Sequence, residues 1–147
     1  MEIAILGLGC FWGPEIKFSK LDGVIKTEVG YCGGNNKVTT YKEVCTGTTN
    51  HAEVVKLDFD PKIISYEKIL KYFFEIHDPT TLNSQGPDFG TQYRSEIFYL
   101  NDQQKKIAEI ITEDENTKLS EKVVTKISLV KNYCPAEEHH QKYLEKR

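Results

Sequence analysis

Cys10 is the first residue of this 147-residue chain whose type and setting could do chemistry, in the run Gly7-Leu8-Gly9-Cys10-Phe11-Trp12-Gly13. An apolar stretch, Ile3 to Leu8, precedes it and Pro14 follows, so the thiol falls between a strand end and the first turn of a helix. Backbone N–H groups and the dipole at a helix N-terminus favour the thiolate, the nucleophilic form of cysteine. Cys10 is therefore a candidate nucleophile, weighed against the bland alternative of a small buried hydrophobe. The glycines suggest a dinucleotide fingerprint but do not complete one. The third comes one residue late, and Phe11 with Trp12, the single tryptophan, fills the space a pyrophosphate needs. Those two rings make either a small apolar pocket beside the thiol or ordinary packing at the strand end.

Glu53 is the second candidate. In His51 to Phe59 the odd positions are His51, Glu53, Val55, Leu57 and Phe59, so the carboxyl shares a strand face with core-type side chains. A carboxyl there is costly to ionise and keeps its proton to higher pH than a surface glutamate, as a general acid requires. The competing reading is an ion pair with Arg94, which would make Glu53 structural. His51 is either a hydrogen-bonded loop histidine or, with Cys10, the base of a thiol hydrolase or acyl transferase. A non-enzymatic binding module that takes its ligand in a pocket of Phe11 and Trp12 is a further alternative. The other thiols, Cys32, Cys45 and Cys134, form no C-x-x-C pair, so neither a disulfide scaffold nor a zinc site is expected; Cys45 and Cys134 are expected in the core.

These residues need elements to hold them. Val24 to Tyr31 reads as a second strand with Ile25, Thr27, Val29 and Tyr31 on one face, and residues 32–49 as a long ordered loop. Ser65 caps a helix bearing Ile69, Leu70, Phe73, Phe74 and Ile76, stopped by Asp78-Pro79. After a second loop, residues 80–93, come a strand over 95–100 and a helix capped by Asn101 or Asp102 with Ile107, Ile110 and Ile111. A strand over 123–130 follows, then a terminal helix opened by Pro135 with His140, Tyr143 and Leu144 on one side. The order predicts an α+β fold, a ferredoxin-like α/β plait whose mixed, mostly antiparallel sheet carries packed helices and long functional loops.

Composition bounds the rest. At 28% charged and 39% hydrophobic the chain fits one domain, residues 1–147 as a single catalytic unit. A net charge of −3 with no basic cluster argues against a nucleic-acid partner. No apolar run is long enough for a membrane span and no signal-peptide pattern opens the chain, so a cytoplasmic protein is expected.

Eight motifs in order carry a resemblance. Gly9 to Gly13, Gly30-Tyr31-Cys32-Gly33-Gly34, Tyr41-Lys42-Glu43-Val44-Cys45-Thr46-Gly47, His51-Ala52-Glu53-Val54-Val55, Asp60-Pro61, His77-Asp78-Pro79, Asp88-Phe89-Gly90-Thr91-Gln92-Tyr93-Arg94-Ser95, and Ala136-Glu137 with His140-Gln141 resemble the peptide-methionine (S)-S-oxide reductases over nearly the whole chain. The resemblance implies reduction of methionine S-sulfoxide, free or in proteins, to methionine. Cys10 would attack the sulfoxide sulfur and Glu53 protonate its oxygen. Tyr41 and Tyr93 would hydrogen-bond that oxygen, Phe11 and Trp12 hold the methyl group, and Asp88 order the polar side. Cys10 would be left as a sulfenic acid. No bound cofactor or metal is implied, only an external thiol: thioredoxin, or glutaredoxin with glutathione. Many relatives continue into a glycine-rich tail bearing a resolving cysteine, whereas this sequence ends at Arg147. A one-cysteine enzyme is therefore expected, with Cys32 and Cys134 as the alternatives for a resolving thiol, and selenocysteine at the position of Cys10 in some relatives.

Overall fold

The computed structural model describes residues 1–119 and 122–146. In chain order the elements are β1 (Glu2–Leu8), α1 (Trp12–Ser19), β2 (Val24–Cys32), α2 (Tyr41–Cys45), β3 (Ala52–Phe59), α3 (Tyr66–Glu75), β4 (Ser84–Gln85) and β5 (Asp88–Phe89). They continue with β6 (Ser95–Tyr99), α4 (Asp102–Lys118), β7 (Lys126–Leu129), β8 (Cys134–Pro135) and α5 (Tyr143–Lys146). Six strands form one sheet in the order β7-β6-β1-β3-β2-β8. Every neighbouring pair is antiparallel except β6 with β7. α1 joins β1 to β2 and α3 joins β3 to β6, and each pair is separated in the sheet by one strand, so two split β-α-β units interleave as the plait expected.

The sheet has two unlike faces, and the pleat assigns residues to them. Ala4, Leu6 and Leu8 of β1, Val55, Leu57 and Phe59 of β3, and Ile97 of β6 pack with Phe18, Ile69, Leu70, Phe73, Ala108 and Ile111 under the helices. Ile5, Cys32, Ala52, Val54 and Phe98 form a smaller cluster on the other face. β1 and β3 are thus buried on both sides, which is why β1 reads as a continuous apolar run. α3 is held by its Ser65 cap, whose side chain accepts from Lys68 N–H at 3.1 Å, and by a broad apolar stripe.

Four expectations are corrected. The register of β2 on β3 shifts between Val24 and Lys26, and this bulge turns Ile25 outward, 59% exposed, instead of onto the face of Thr27, Val29 and Tyr31. The first long loop contains α2, a five-residue helix capped by Thr40, too short for an apolar period to reveal it. The last strand is confined to Lys126–Leu129. Pro135 opens no helix: it lies in β8, Glu138–His140 makes one 3₁₀ turn, and Lys142 at φ +51° breaks the chain before α5. Side chains stitch this segment down in place of helical packing. Gln141 accepts from Val29 N–H and donates to Val29 C=O, both at 2.9 Å, and Glu15, 2% exposed, accepts from Lys142 N–H at 2.7 Å. Among the described residues no helix is long and apolar enough to cross a membrane.

Candidate active site

The end of β1 delivers Cys10 through Gly9, whose φ of +100° suits only glycine, and a Cβ there would lie 2.8 Å from Gln85 Cγ. The chain then enters α1, whose first N–H groups have no helical partner. One such group, Phe11 N–H, donates to Glu53 Oε1 at 3.3 Å, fixing the carboxyl one residue from the thiol. Cys10 is half-buried. Burial pushes its thiol up to about 11; the Trp12 N–H works against this, and the Glu53 and Asp88 carboxyls add to it. The helix terminus therefore acts in the direction expected but is outweighed, and Cys10 rests as a thiol and not a thiolate.

Glu53 projects from β3 onto the helix-covered face and is 1% exposed. Burial raises its carboxyl to about 7; hydrogen bonds from Gln92 and from Phe11 N–H oppose the rise and Asp88 reinforces it. The ion pair with Arg94 does not form. Arg94 Nε lies 2.6 Å from Glu96 Oε1, and the pairing of Gly7 with Glu96 and Ile5 with Phe98 puts that salt bridge on the other face of the sheet. Gln92, from the 3₁₀ turn Thr91–Tyr93, holds Glu53 instead: its Nε2 donates to Glu53 Oε2 at 3.0 Å and to Cys45 Sγ at 3.3 Å.

Three loop-borne groups close the polar side. Tyr41 begins α2, and its N–H donates to Glu137 Oε2 at 3.0 Å while Tyr31 donates to Glu137 Oε1 at 2.8 Å. Burial works to raise the Glu137 carboxyl, but these donors hold it below the ordinary range. Burial, a contact with the Cys45 thiol and the Glu53 charge hold the Tyr41 hydroxyl above the phenol range. Tyr93 is pushed up to about 12 by burial and by Glu53. Both phenols are therefore neutral donors at working pH. Asp88, on the β4–β5 hairpin, acts on Cys10, Glu53 and Tyr93 alike.

The two rings after the thiol part company. Phe11 is 1% exposed and packs in the core, 5.7 Å between centroids from Tyr31, while Trp12 is half-buried and stacks on Tyr143 at 3.9 Å. Trp12 also donates its indole N–H to His140 Nδ1 at 3.2 Å. His51 is buried against Gly34, Asn36 and Asn132, whereas the groups acting on Cys10 are Trp12, Glu53 and Asp88, so no thiol–imidazole pair is built. Cys32 and Cys134 are buried, but Cys45 is exposed at the end of α2 and not in the core as expected. Sequence reasoning assigned nothing to Gln92, Glu137 or His140. Glu137 and His140 stand inside matched motifs, which was the available signal; a neutral amide such as Gln92 gives none outside its motif.

A thiol, a carboxyl whose proton release is raised to about 7 and two neutral phenols acting on one another suit attack on a polarised X=O group with protonation of its oxygen. The family model for peptide methionine sulfoxide reductase matches residues 2–147. A peptide methionine sulfoxide reductase MsrA from Pelagibacter ubique (strain HTCC1062) is 82% identical over 147 residues, 100% of both chains. Mxr1 of Saccharomyces cerevisiae in reduced form superposes with a TM-score of 0.95 at 42% identity, over 99% of this chain and 85% of that one. Mxr1 in complex with Trx2 superposes with a TM-score of 0.69 at 28% identity, over 97% and 84%. Sequence, fold and the chemistry of the site converge, and the chain belongs to the peptide methionine sulfoxide reductase family, enzymes that reduce methionine sulfoxide.

Proposed function

We propose that Cys10 and Glu53 together reduce the S epimer of methionine sulfoxide, the epimer being assigned from the family resemblance. Cys10 Sγ bonds to the sulfoxide sulfur as Glu53 gives its proton to the sulfoxide oxygen, and the thiol proton that Cys10 gives up in the same step returns Glu53 to its acid form. Tyr41 and Tyr93 donate to that oxygen as charge develops, Trp12 bounds the methyl side with Phe11 packed behind it in the core, and Asp88 orders the polar edge. The hydroxyl then passes to Cys10 as the S–S bond breaks, methionine leaves, and a sulfenic acid remains. Two external thiol equivalents return Cys10 to the thiol, releasing water and a disulfide. We assign that reductant to thioredoxin, supported by the Mxr1 complex with Trx2; glutaredoxin with glutathione is the alternative donor.

One observation carries this reading. The carboxyl that holds its proton to about pH 7 is tied by Phe11 N–H to the residue next to the thiol. The burial of two thiols supports a one-cysteine cycle. Cys32 lies in the cluster on the far face, its Sγ 3.3 Å from Lys131 C=O, and Cys134 is 8% exposed and turned to Thr39 C=O. A second reading has one observation in its favour: Cys45 is exposed and shares Gln92 with Glu53, so it could condense with the sulfenic acid to a disulfide and water.

Mass spectrometry after one equivalent of racemic sulfoxide without reductant tests both. One added oxygen on the Cys10 peptide, trapped by dimedone, with the R epimer left over, is expected. A Cys10–Cys45 disulfide selects the second reading, and turnover by Cys10→Ser or oxygen on another sulfur refutes both.

A further inference from the structure

His140 is unused by the chemistry above, yet it is 4% exposed and ringed by residues of the candidate site. Its ring lies 4.6 Å from Tyr41, 5.5 Å from Phe11, 5.7 Å from Trp12 and 4.1 Å from His139, between centroids. The Trp12 indole can only donate, so the 3.2 Å bond to His140 Nδ1 requires that nitrogen to be bare and the ring proton to sit on Nε2. Nε2 is buried and has no partner among the described residues. A fold that leaves a buried donor unmatched gives up a hydrogen bond to keep the Nδ1 acceptor for Trp12. The ring is confined by its burial and the aromatic rings packed on it, and its segment is anchored on both sides: Glu137 binds Tyr31 and Tyr41, and Gln141 binds Val29.

We propose that His140 is a positioning residue for the sulfoxide pocket: its neutral Nε2–H form holds the Trp12 indole at the methyl-binding wall, and protonation of Nδ1 releases it. The inference rests on the reading of Trp12 as part of that wall. A proton on Nδ1 would face the indole N–H, donor against donor, so binding should weaken in acid while the chemical step is spared. The titratable groups around the ring are His139 and Glu137 on its own segment, Tyr41 from α2, Tyr31 from β2 behind Glu137, and Tyr143 from α5. Burial and His139 hold His140 below the ordinary imidazole range and Glu137 opposes them, so the Nδ1 acceptor is intact at neutral pH.

Trp12 is the only tryptophan, so intrinsic fluorescence reads its surroundings directly. Emission of the wild-type enzyme should shift on acidification below about pH 6.5, the ordinary imidazole pKa. KM for N-acetylmethionine sulfoxide should rise with it about five- to tenfold, the usual worth of one hydrogen bond, while kcat changes less than about twofold. His140→Phe should show the acid-like emission and raised KM at neutral pH without the acid transition. His140→Asn, which returns an acceptor near Nδ1, should restore the KM, and His139→Asn should leave the acid transition in place. Unchanged emission in His140→Phe, or a transition that survives in it, overturns the bond as the device. Shifted emission with unchanged KM shows instead that Trp12 does not bound the substrate, which overturns the wall and the proposal with it.

Discussion

Glu53 shows how a single buried carboxyl couples chemistry to stability. Folded, it keeps its proton to about pH 7; unfolded, it releases it near 4.5. Its contribution to stability is therefore full below pH 4.5 and is lost as pH rises through 7, on the order of 3 kcal/mol in all. Glu53→Gln, neutral at every pH, should be about equally stable with wild type at pH 4.5 and more stable at pH 8, as thermal unfolding across that range will show. The same variant has no proton to give, and its single-turnover rate should fall by about 10² to 10⁴. Gln92 tests how the acid is tuned. Gln92→Leu removes a hydrogen bond that favours the ionised carboxylate, so the alkaline limb of the single-turnover pH profile, set near 7 by Glu53, should move upward; a limb that stays or falls would show that Gln92 does not set it.

At the scale of elements, what the sequence revealed tracks how strongly packing enforces a period. β3 is legible because Val55, Leu57 and Phe59 alternate under the helices, and the same alternation places Glu53 inward. α3 was legible from Ser65 and its apolar stripe. α2 was not, because five residues make little more than one turn and its cap, Thr40, sits among other threonines. The terminal segment was misread for a related cause: Pro135 mimics a helix start and His140, Tyr143 and Leu144 a helical spacing, while much of what holds the segment is polar, Gln141 on Val29 and Glu15 on Lys142, and side chain to backbone pairing leaves no period. The thiol at the head of α1 was found from position alone, but its protonation was not, since burial and two carboxylates come from distant chain.

Across the whole molecule the two sheet faces keep separate electrostatic accounts. The Arg94–Glu96 pair, with both side chains at most 8% exposed, lies on the face away from Glu53. Arg94→Leu strands a buried carboxylate and should cost about 3 to 5 kcal/mol in denaturant unfolding, while Arg94→Met with Glu96→Leu should recover most of it. In neither variant should the Glu53 limb of the pH profile move; a shift would mean that the faces communicate. Glu53 stands on a strand hydrogen-bonded on both sides and buried at the centre of the sheet, whereas Tyr41, Asp88, Gln92 and Tyr93 arrive on surface connections. The proposed proton donor is thus carried by the rigid centre of the fold and the groups proposed to work with it by its more yielding periphery, so a disturbance of those connections would displace the phenols before it displaced the acid.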